Sequence, residues 1–201
     1  MKQMRKRESS SINLVIALPA EARPLINLLN LQRDQENMRM PVYHANGIQL
    51  VITGPGATAS AQGVHYIHSI KPRSSAQWVN LGICGHGSLE VGTPLLINRI
   101  IDQQSGKEWS LTIRHPITET IGALTCVPEP QFEYTDDMAF DMESSGFIEA
   151  ASEIDMIECV KVFKIVSDNP ANDSRGISAK FVDMLVRQQL GLIRSMLEQP
   201  H

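Results

Sequence analysis

Hydrophobic residues along this chain gather in short continuous runs that end at turns containing glycine or proline. Such runs cover residues 12–18, 48–53, 77–81, 94–101 and 160–166. Continuous apolar runs, as opposed to strict alternation of apolar and polar residues, are typical of strands that are buried on both faces of a sheet. The pattern therefore predicts five buried strands of a mixed, mostly parallel sheet.

Helical periodicity occupies the intervals between these runs. Helices are predicted over residues 24–31, 57–69, 140–153 and 178–197. Pro24 suits the first turn of a helix, and the acidic pair Asp136-Asp137 favours a helix start at residue 140 through the helix dipole. Alternating strands and helices of these lengths predict an α/β protein: a three-layer sandwich with a mixed, mostly parallel central sheet flanked by helices.

One domain is expected over residues 12–201, because no internal repeat or low-complexity linker divides the chain. Residues 1–11 are basic and serine-rich, and we expect them to form a disordered tail. The same segment also resembles the start of a signal peptide, since the run 12–18 and small residues at 19–22 follow it. The tail is the preferred interpretation, because the run 12–18 fits the strand pattern of the next eighty residues.

Composition excludes several classes of function. The chain has 201 residues, of which 42% are hydrophobic, and 18 basic residues stand against 22 acidic ones for a net charge of -4. This balance excludes a disordered chain and offers no basic surface for nucleic acid. Three cysteines cannot all pair, and no run is long and apolar enough to span a membrane. We therefore expect a cytoplasmic protein with free thiols.

Candidate chemistry follows from the sheet, because ligands of such sheets bind beyond the carboxyl ends of the strands. Glu21 and Asp168 each follow a predicted strand closely, and Glu143 opens a predicted helix. All three adjoin apolar segments, where an unpaired carboxylate is costly and is often functional. Glycine-rich turns follow two further strands, at 54–56 and 82–87.

Five segments in order carry a resemblance to a known family. They are LPAEARPL, ITGPGATASAQG, WVNLGICGHGSLEVGTPLLI, FDMESSGFIEAA and FKIVSDN. This series resembles the nucleoside phosphorylase superfamily, especially its methylthioadenosine and S-adenosylhomocysteine nucleosidases and related short bacterial phosphorylases. The resemblance implies cleavage of the N-glycosidic bond of a purine nucleoside or related N-ribosyl compound, through a transition state that resembles a ribosyl cation.

The resemblance also implies roles for the three carboxylates. Asp168, beside Ser167, matches the acid that protonates the departing base, and Glu143 matches the carboxylate that accepts hydrogen bonds from the ribose hydroxyls, with Met142 against the sugar. Glu21 matches the residue that activates water. Each also has an ordinary interpretation: Asp168 as a turn-opening residue, Glu143 and Glu21 as acids in the first turn of a helix.

The remaining site candidates lie in loops. Relatives hold the base at the segment 127–132, which makes Gln131 and Phe132 candidate base contacts, although Phe132 is equally well a core aromatic. Four residues form the candidate loops around the nucleophile or an anion: Gly54, Gly56, Gly85 and His86.

Water is the preferred nucleophile. Ile83 stands where relatives often place a hydroxyl, and a carboxylate at Glu21 would repel a phosphate dianion. Phosphorolysis, with inorganic phosphate as co-substrate, is the first alternative, and a nucleoside-binding protein without turnover is the second. No other cofactor is expected. Retention of all three carboxylates favours the enzyme.

Two further expectations concern metal and assembly. No metal site is expected, because His65 and His68 lack an acidic or thiol neighbour to complete a ligand set, and Cys84 and Cys126 are interpreted as small buried residues. The interval 102–122 is compact, and in relatives the equivalent region helps to cover the sugar's 5′ end across a dimer interface. We therefore expect a homodimer or a larger symmetric oligomer.

Overall fold

The computed structural model describes residues 11–36, 39–72, 76–134, 137–172 and 175–199. The predicted tail lies outside the described residues, apart from Ser11. The elements, in chain order, are β1 (Ile12–Ile16), α1 (Pro19–Leu28), β2 (Gln32–Arg33), β3 (Val42–Ala45), β4 (Ile48–Ile52), α2 (Ala57–Ile70), β5 (Gln77–His86), β6 (Pro94–Asp102), β7 (Glu108–Ser110), β8 (Ile121–Cys126), β9 (Ala139–Asp141), α3 (Ser144–Glu153), a 3-10 turn (Ile157–Cys159), β10 (Val160–Asp168), α4 (Ala179–Gln188) and α5 (Leu190–Glu198).

These strands form one mixed sheet. Its centre is parallel, with the strands in the order β4, β1, β5, β10. Antiparallel β3 and β2 extend one side. On the other side the sheet closes on itself, because β10 pairs with β6, β6 with β8, β8 with β9, and β9 again with β5. The carboxyl ends of β1, β4, β5 and β10 consequently meet at one edge.

Helices cover both faces of the sheet, and each face has its own core. Leu14 of β1 packs in the cluster with α1, α4 and α5, whereas its neighbour Val15 packs in the cluster with α2 and α3. Successive residues of a strand point to opposite faces, so both must be apolar. This explains the continuous hydrophobic runs and confirms the predicted three-layer α/β arrangement.

The predicted start of the third helix is wrong. Residues 139–141 form strand β9, and α3 begins only at Ser144. Phe140 pairs with Gly85 of β5, so the sheet takes these residues before the helix can begin. The carboxylate of Asp141 then accepts hydrogen bonds from the backbone N–H of Ser144. Asp137 thus precedes a strand and not the helix.

Two other helix boundaries differ from the prediction. Helix α1 starts at Pro19 and carries Pro24 in its interior, where one helical hydrogen bond is necessarily missing. The predicted terminal helix is two helices that meet at Gln189, whose side chain donates a hydrogen bond of 2.9 Å to the carbonyl oxygen of Gly92. Over the described residues, every helix is too short or too polar to cross a membrane.

Candidate active site

A cavity of about 690 Å³ opens at the carboxyl edge of the sheet, between the ends of β1, β5 and β10. This volume lies within the range of small-molecule sites. Eight of the residues proposed from the sequence lie on its wall: Glu21, Gly85, Gln131, Phe132, Met142, Glu143, Ser167 and Asp168. Phe132 is 54% exposed, so it belongs to the cavity rim and not to the core.

Glu21 is buried at the start of α1, with its carboxylate turned back toward the sheet. One oxygen accepts a hydrogen bond from the backbone N–H of Leu18 and the other from that of Ile83, both at 2.9 Å. Burial raises the pKa of Glu21 to about 7, against the lowering effect of these N–H groups and of Lys164. Glu21 therefore changes charge near neutral pH.

A buried ion pair, which the sequence analysis missed, lies behind the carboxylates. The ammonium of Lys164 is 2.7 Å from the carboxylate of Asp141 and donates a hydrogen bond of 2.7 Å to the side-chain oxygen of Asn80. Burial alone lowers the pKa of Lys164, but Asp141 and Glu143 outweigh it, so the net direction is upward. Lys164 is thus a permanent cation inside the protein.

Glycine at position 82 allows this cation and Glu21 to approach β5. A Cβ atom on Gly82 would lie 2.9 Å from Oε1 of Glu21 and 3.6 Å from Nζ of Lys164. Any larger residue would displace the carboxylate, because the first distance is shorter than normal packing permits. The glycine-rich sequence after residue 81 is therefore explained partly by close packing beneath the cavity.

Glu143 is the N-cap residue of α3 and also contacts the start of α2. Its Oε1 accepts a hydrogen bond of 2.9 Å from the backbone N–H of Gly56, the N-cap residue of α2. Burial and the charge of Asp141 raise the pKa of Glu143, whereas Lys164 lowers it. Gly56 thus contributes to the site by holding the carboxylate of Glu143 in place. Its φ of +101° is a backbone conformation that suits glycine.

Asp168 ends β10 at a bulge and is met by two hydroxyl groups. The Ser167 hydroxyl donates to Oδ1 at 2.5 Å, and the Tyr134 hydroxyl donates to Oδ2. Each hydroxyl also has a backbone acceptor within reach: the carbonyl of Cys84 at 3.1 Å for Ser167, and that of Gln131 at 3.0 Å for Tyr134. Ser167 and Asp168 were predicted from the sequence motifs, whereas Tyr134 was not.

Three of the four proposed loop residues are not on the cavity wall: Gly56, which contacts Glu143, and also His86 and Gly54. His86 is buried, and its Nδ1 accepts hydrogen bonds of 3.1 Å from the backbone N–H groups of Ser88 and Leu89. Burial lowers the pKa of His86, and the charge of Asp137 only partly opposes this effect. The ring is therefore a neutral acceptor. Gly54 donates its N–H to the carbonyl of Ala17 and so joins the ends of β4 and β1.

The histidines and cysteines considered for metal binding or nucleophilic chemistry contribute to packing and surface contacts. His65 contacts Glu153 at 3.0 Å, and its neighbour His68 packs near Trp78. Burial raises the pKa of the thiols of Cys84 and Cys126, which makes them poor nucleophiles. Within the ranges that the structure describes, no cluster of three His, Cys, Asp or Glu side chains could hold a metal ion.

Comparison with known proteins identifies the fold. No protein-family model matches the sequence, and no curated protein sequence matches it significantly. Solved structures do match, over nearly the whole chain, and they show that this protein has the fold of methylthioadenosine and methylthioadenosine/S-adenosylhomocysteine nucleosidases. The resemblance seen in the sequence motifs is thereby confirmed at the level of the fold.

The matching structures include nucleosidases from three organisms. The 5′-methylthioadenosine nucleosidase of Arabidopsis thaliana has a TM-score of 0.82 at 17% identity and covers 97% of this chain and 98% of its own. The 5′-methylthioadenosine/S-adenosylhomocysteine nucleosidase of S. pneumoniae, bound to a transition-state inhibitor, scores 0.76 at 16% identity, covering 94% and 98%. The Helicobacter pylori nucleosidase of the same name also scores 0.76, at 11% identity and coverage of 96% and 99%.

Proposed function

We propose that this protein hydrolyses the N-glycosidic bond of a purine nucleoside or a related N-ribosyl compound. The observation that carries the proposal is the meeting of Glu21, Glu143 and Asp168, from three distant parts of the chain, on the wall of one cavity. Similarity to solved nucleosidases supports the same reaction class. The reaction develops positive charge on the sugar and negative charge on the departing base. The cavity suits these charges, with Glu21 and Glu143 at what we call its sugar end and Asp168 at its base end.

Asp168 is the proposed acid at the base. It is 4% exposed, and within the described part of the chain its two oxygens contact neutral hydroxyls and no cation. When Asp168 carries a proton, the hydroxyl of Ser167 can turn to the carbonyl of Cys84 instead of donating to the carboxyl. The residue can therefore hold a proton and then give it to a ring nitrogen of the base.

Glu143 is the proposed ligand of the sugar hydroxyls. It receives one backbone hydrogen bond at each oxygen, of which the 3.4 Å contact from Met142 is long, so each oxygen can still accept from the sugar. A carboxylate here also favours the ribosyl cation electrostatically. Its charge adds to that of Glu21, which lies near enough to interact with it.

Glu21 is the proposed base that activates water. With a pKa of about 7 it is partly ionised at neutral pH and can accept a proton from a water molecule that attacks the sugar. Phosphate is the less favoured nucleophile. The cationic side chains on the described cavity wall, Arg23 and Arg175, are both exposed, and the buried cation Lys164 is already paired with Asp141.

A homo-oligomer is part of this proposal. A second cavity of about 400 Å³ shares Met142 with the first and continues past Gly56 to Asp102 and Gln104. The compact interval 102–122 therefore begins beside the sugar end of the first cavity, and the sugar end is open on the side of the second cavity. A neighbouring subunit that covers this opening would complete the site, and sedimentation of the active protein as a monomer would contradict it.

A product assay tests the proposed function directly. Purified protein is incubated with adenosine, inosine, methylthioadenosine or S-adenosylhomocysteine, with and without phosphate, and the products are separated by chromatography. We expect free base and a free sugar without added phosphate, and a release of base that is about two to four orders of magnitude slower in the Asp168→Asn variant. Release of base that depends on phosphate would establish phosphorolysis. Binding without any release would leave the non-catalytic alternative.

A further inference from the structure

Tyr134 occupies the base end of the cavity, beside Asp168. Its hydroxyl donates to Oδ2 of Asp168, while Oδ1 accepts from Ser167, so both oxygens of the carboxyl group are engaged. The ring of Tyr134 packs against that of Phe140, with 5.3 Å between the ring centroids. Each oxygen could accept a second hydrogen bond, so an incoming base is kept from Asp168 by the phenol that lies over it and not by a lack of acceptors.

The position of this phenol depends on a glycine. A Cβ atom on Gly85 would overlap the hydroxyl oxygen of Tyr134. Gly85 is not among the glycines with positive φ, so its backbone conformation does not require glycine. The close approach of Tyr134 does require it. Gly85 and Asp168 are paired in neighbouring strands, so the phenol fills the space directly above this pair.

We propose that Tyr134 holds the place of the substrate's base, and that the base and the phenol compete for Asp168. This inference rests on the proposed function, which takes Asp168 as the group that contacts the base. The chemistry of the two competitors is alike. A phenol presents an O–H donor in the plane of an aromatic ring, and a purine protonated at a ring nitrogen presents an N–H donor in the same way.

Tyr134, and not Ser167, is the group that yields. Ser167 belongs to strand β10 and is buried, whereas Tyr134 lies in the segment 131–134, which is neither helix nor strand, and is only half-buried. The Tyr134 hydroxyl is already 3.0 Å from the carbonyl oxygen of Gln131 in the same loop. Its donor therefore keeps an acceptor when the base takes Asp168, and the exchange costs little.

Because of this competition, the apparent affinity for the base equals the intrinsic affinity multiplied by the fraction of molecules in which Tyr134 is displaced. Tyr134→Phe keeps the ring and removes the donor, so that the closed arrangement loses its hydrogen bond to Asp168. We expect the dissociation constant of a free purine to fall by about three- to tenfold in this variant. A residue that merely supported the site would produce weaker binding on substitution.

The first measurement examines the contact itself. The chain has three tyrosines, Tyr43, Tyr66 and Tyr134, so carbon-13 at the ring Cζ gives three NMR signals, and Tyr134→Phe assigns one of them. Asp168→Asn should shift the Tyr134 signal and leave the other two in place. Added adenine or hypoxanthine should also shift it. If neither the Asp168→Asn substitution nor the added purine changes the chemical shift of Tyr134, the proposal is overturned.

The second measurement is calorimetric binding of adenine and hypoxanthine to the wild type, to Tyr134→Phe and to the control Tyr66→Phe. Tyr66 lies on α2 and is not on the cavity wall. Tighter purine binding by Tyr134→Phe alone supports the competition. Equal or weaker binding, or no binding of either purine to any form, overturns it. If tighter binding occurs but no nucleoside is cleaved, the proposed function fails while the competition stands.

Discussion

The two ends of the cavity hold their carboxylates in opposite ways. At the sugar end, Glu21 and Glu143 accept hydrogen bonds from backbone N–H groups, and the buried cation Lys164 lies behind them. At the base end, Asp168 meets only hydroxyl groups among its described hydrogen-bond partners. Backbone N–H groups and a lysine can only donate, whereas a hydroxyl can donate or accept.

This difference decides which forms of each carboxyl group its hydrogen-bond partners can satisfy. Groups that can only donate favour the ionised carboxylate, which is what a developing ribosyl cation requires. Hydroxyls that can rotate satisfy both the protonated and the ionised forms of Asp168, which is what a general acid requires. At Glu21, burial outweighs the donors and raises the pKa to about 7, so this carboxylate can also accept a proton.

The largest expected effect is at the base end. Asp168→Asn keeps an oxygen acceptor for Tyr134 or Ser167 but removes the transferable proton, so turnover should fall by about two to four orders of magnitude with little loss of stability. The measurement is the steady-state rate of base release from the best nucleoside. The matched control is Asp155→Asn, at an exposed residue with φ of +56°, where asparagine is readily accommodated. Near-normal turnover in Asp168→Asn would remove this residue from the acid role.

The next effect concerns the sugar end and stability. Lys164→Met leaves the carboxylates of Asp141 and its neighbours uncompensated in the interior, so the free energy of unfolding should fall by about 3–5 kcal/mol. Urea unfolding measures it. Lys161→Met is the control on the same strand. The Lys161 amine has no hydrogen-bond partner in the described structure, and burial lowers its pKa, so its replacement should cost little or nothing.

The sequence pointed to the three carboxylates on the cavity wall but not to the network beneath the sugar end. Glu21, Glu143 and Asp168 follow strands or open a helix, and that local position sufficed to find them. Lys164 lies inside an apolar run, and its partner Asp141 is distant in sequence, so no local pattern pairs them. The one available signal was a lysine within a strand predicted to be buried, which needs a carboxylate partner.

Strands show the same limit. Four of the apolar runs became the parallel centre of the sheet and the fifth became β6, whereas β2, β3, β7, β8 and β9 were not predicted. Most of these strands are short and only partly buried, so they lack a continuous apolar run. Strand β9 is fully buried but has only three residues, and it forms because β5 and β8 pair with it. Such pairing is a tertiary effect that the local sequence does not encode.

A smaller effect distinguishes ribose from deoxyribose. Glu143→Gln keeps the size of the side chain but weakens charge-assisted hydrogen bonds to the sugar, so kcat/KM should fall roughly tenfold or more. A 2′-deoxynucleoside should lose less, because it lacks one of the hydroxyls. The control is Glu149→Gln, an exposed residue of the same helix that pairs with Lys107. Equal losses on both sugars would contradict the assignment of Glu143.

The smallest and most specific effect is on pH dependence. If Glu21 activates water, kcat/KM should rise up to about tenfold per pH unit below pH 7 and level off above it. Glu21→Gln should lower kcat/KM and remove this rise with pH.

Stability should change with pH in the opposite direction. The folded pKa, about 7, is above the ordinary value of 4.5, so the folded state keeps a proton that the unfolded state releases between these values. Stability therefore falls as the pH rises from 4.5 to 7. Urea unfolding at several pH values should show this slope in the wild type and a smaller one in Glu21→Gln, and identical slopes would mean that Glu21 is ionised throughout the range.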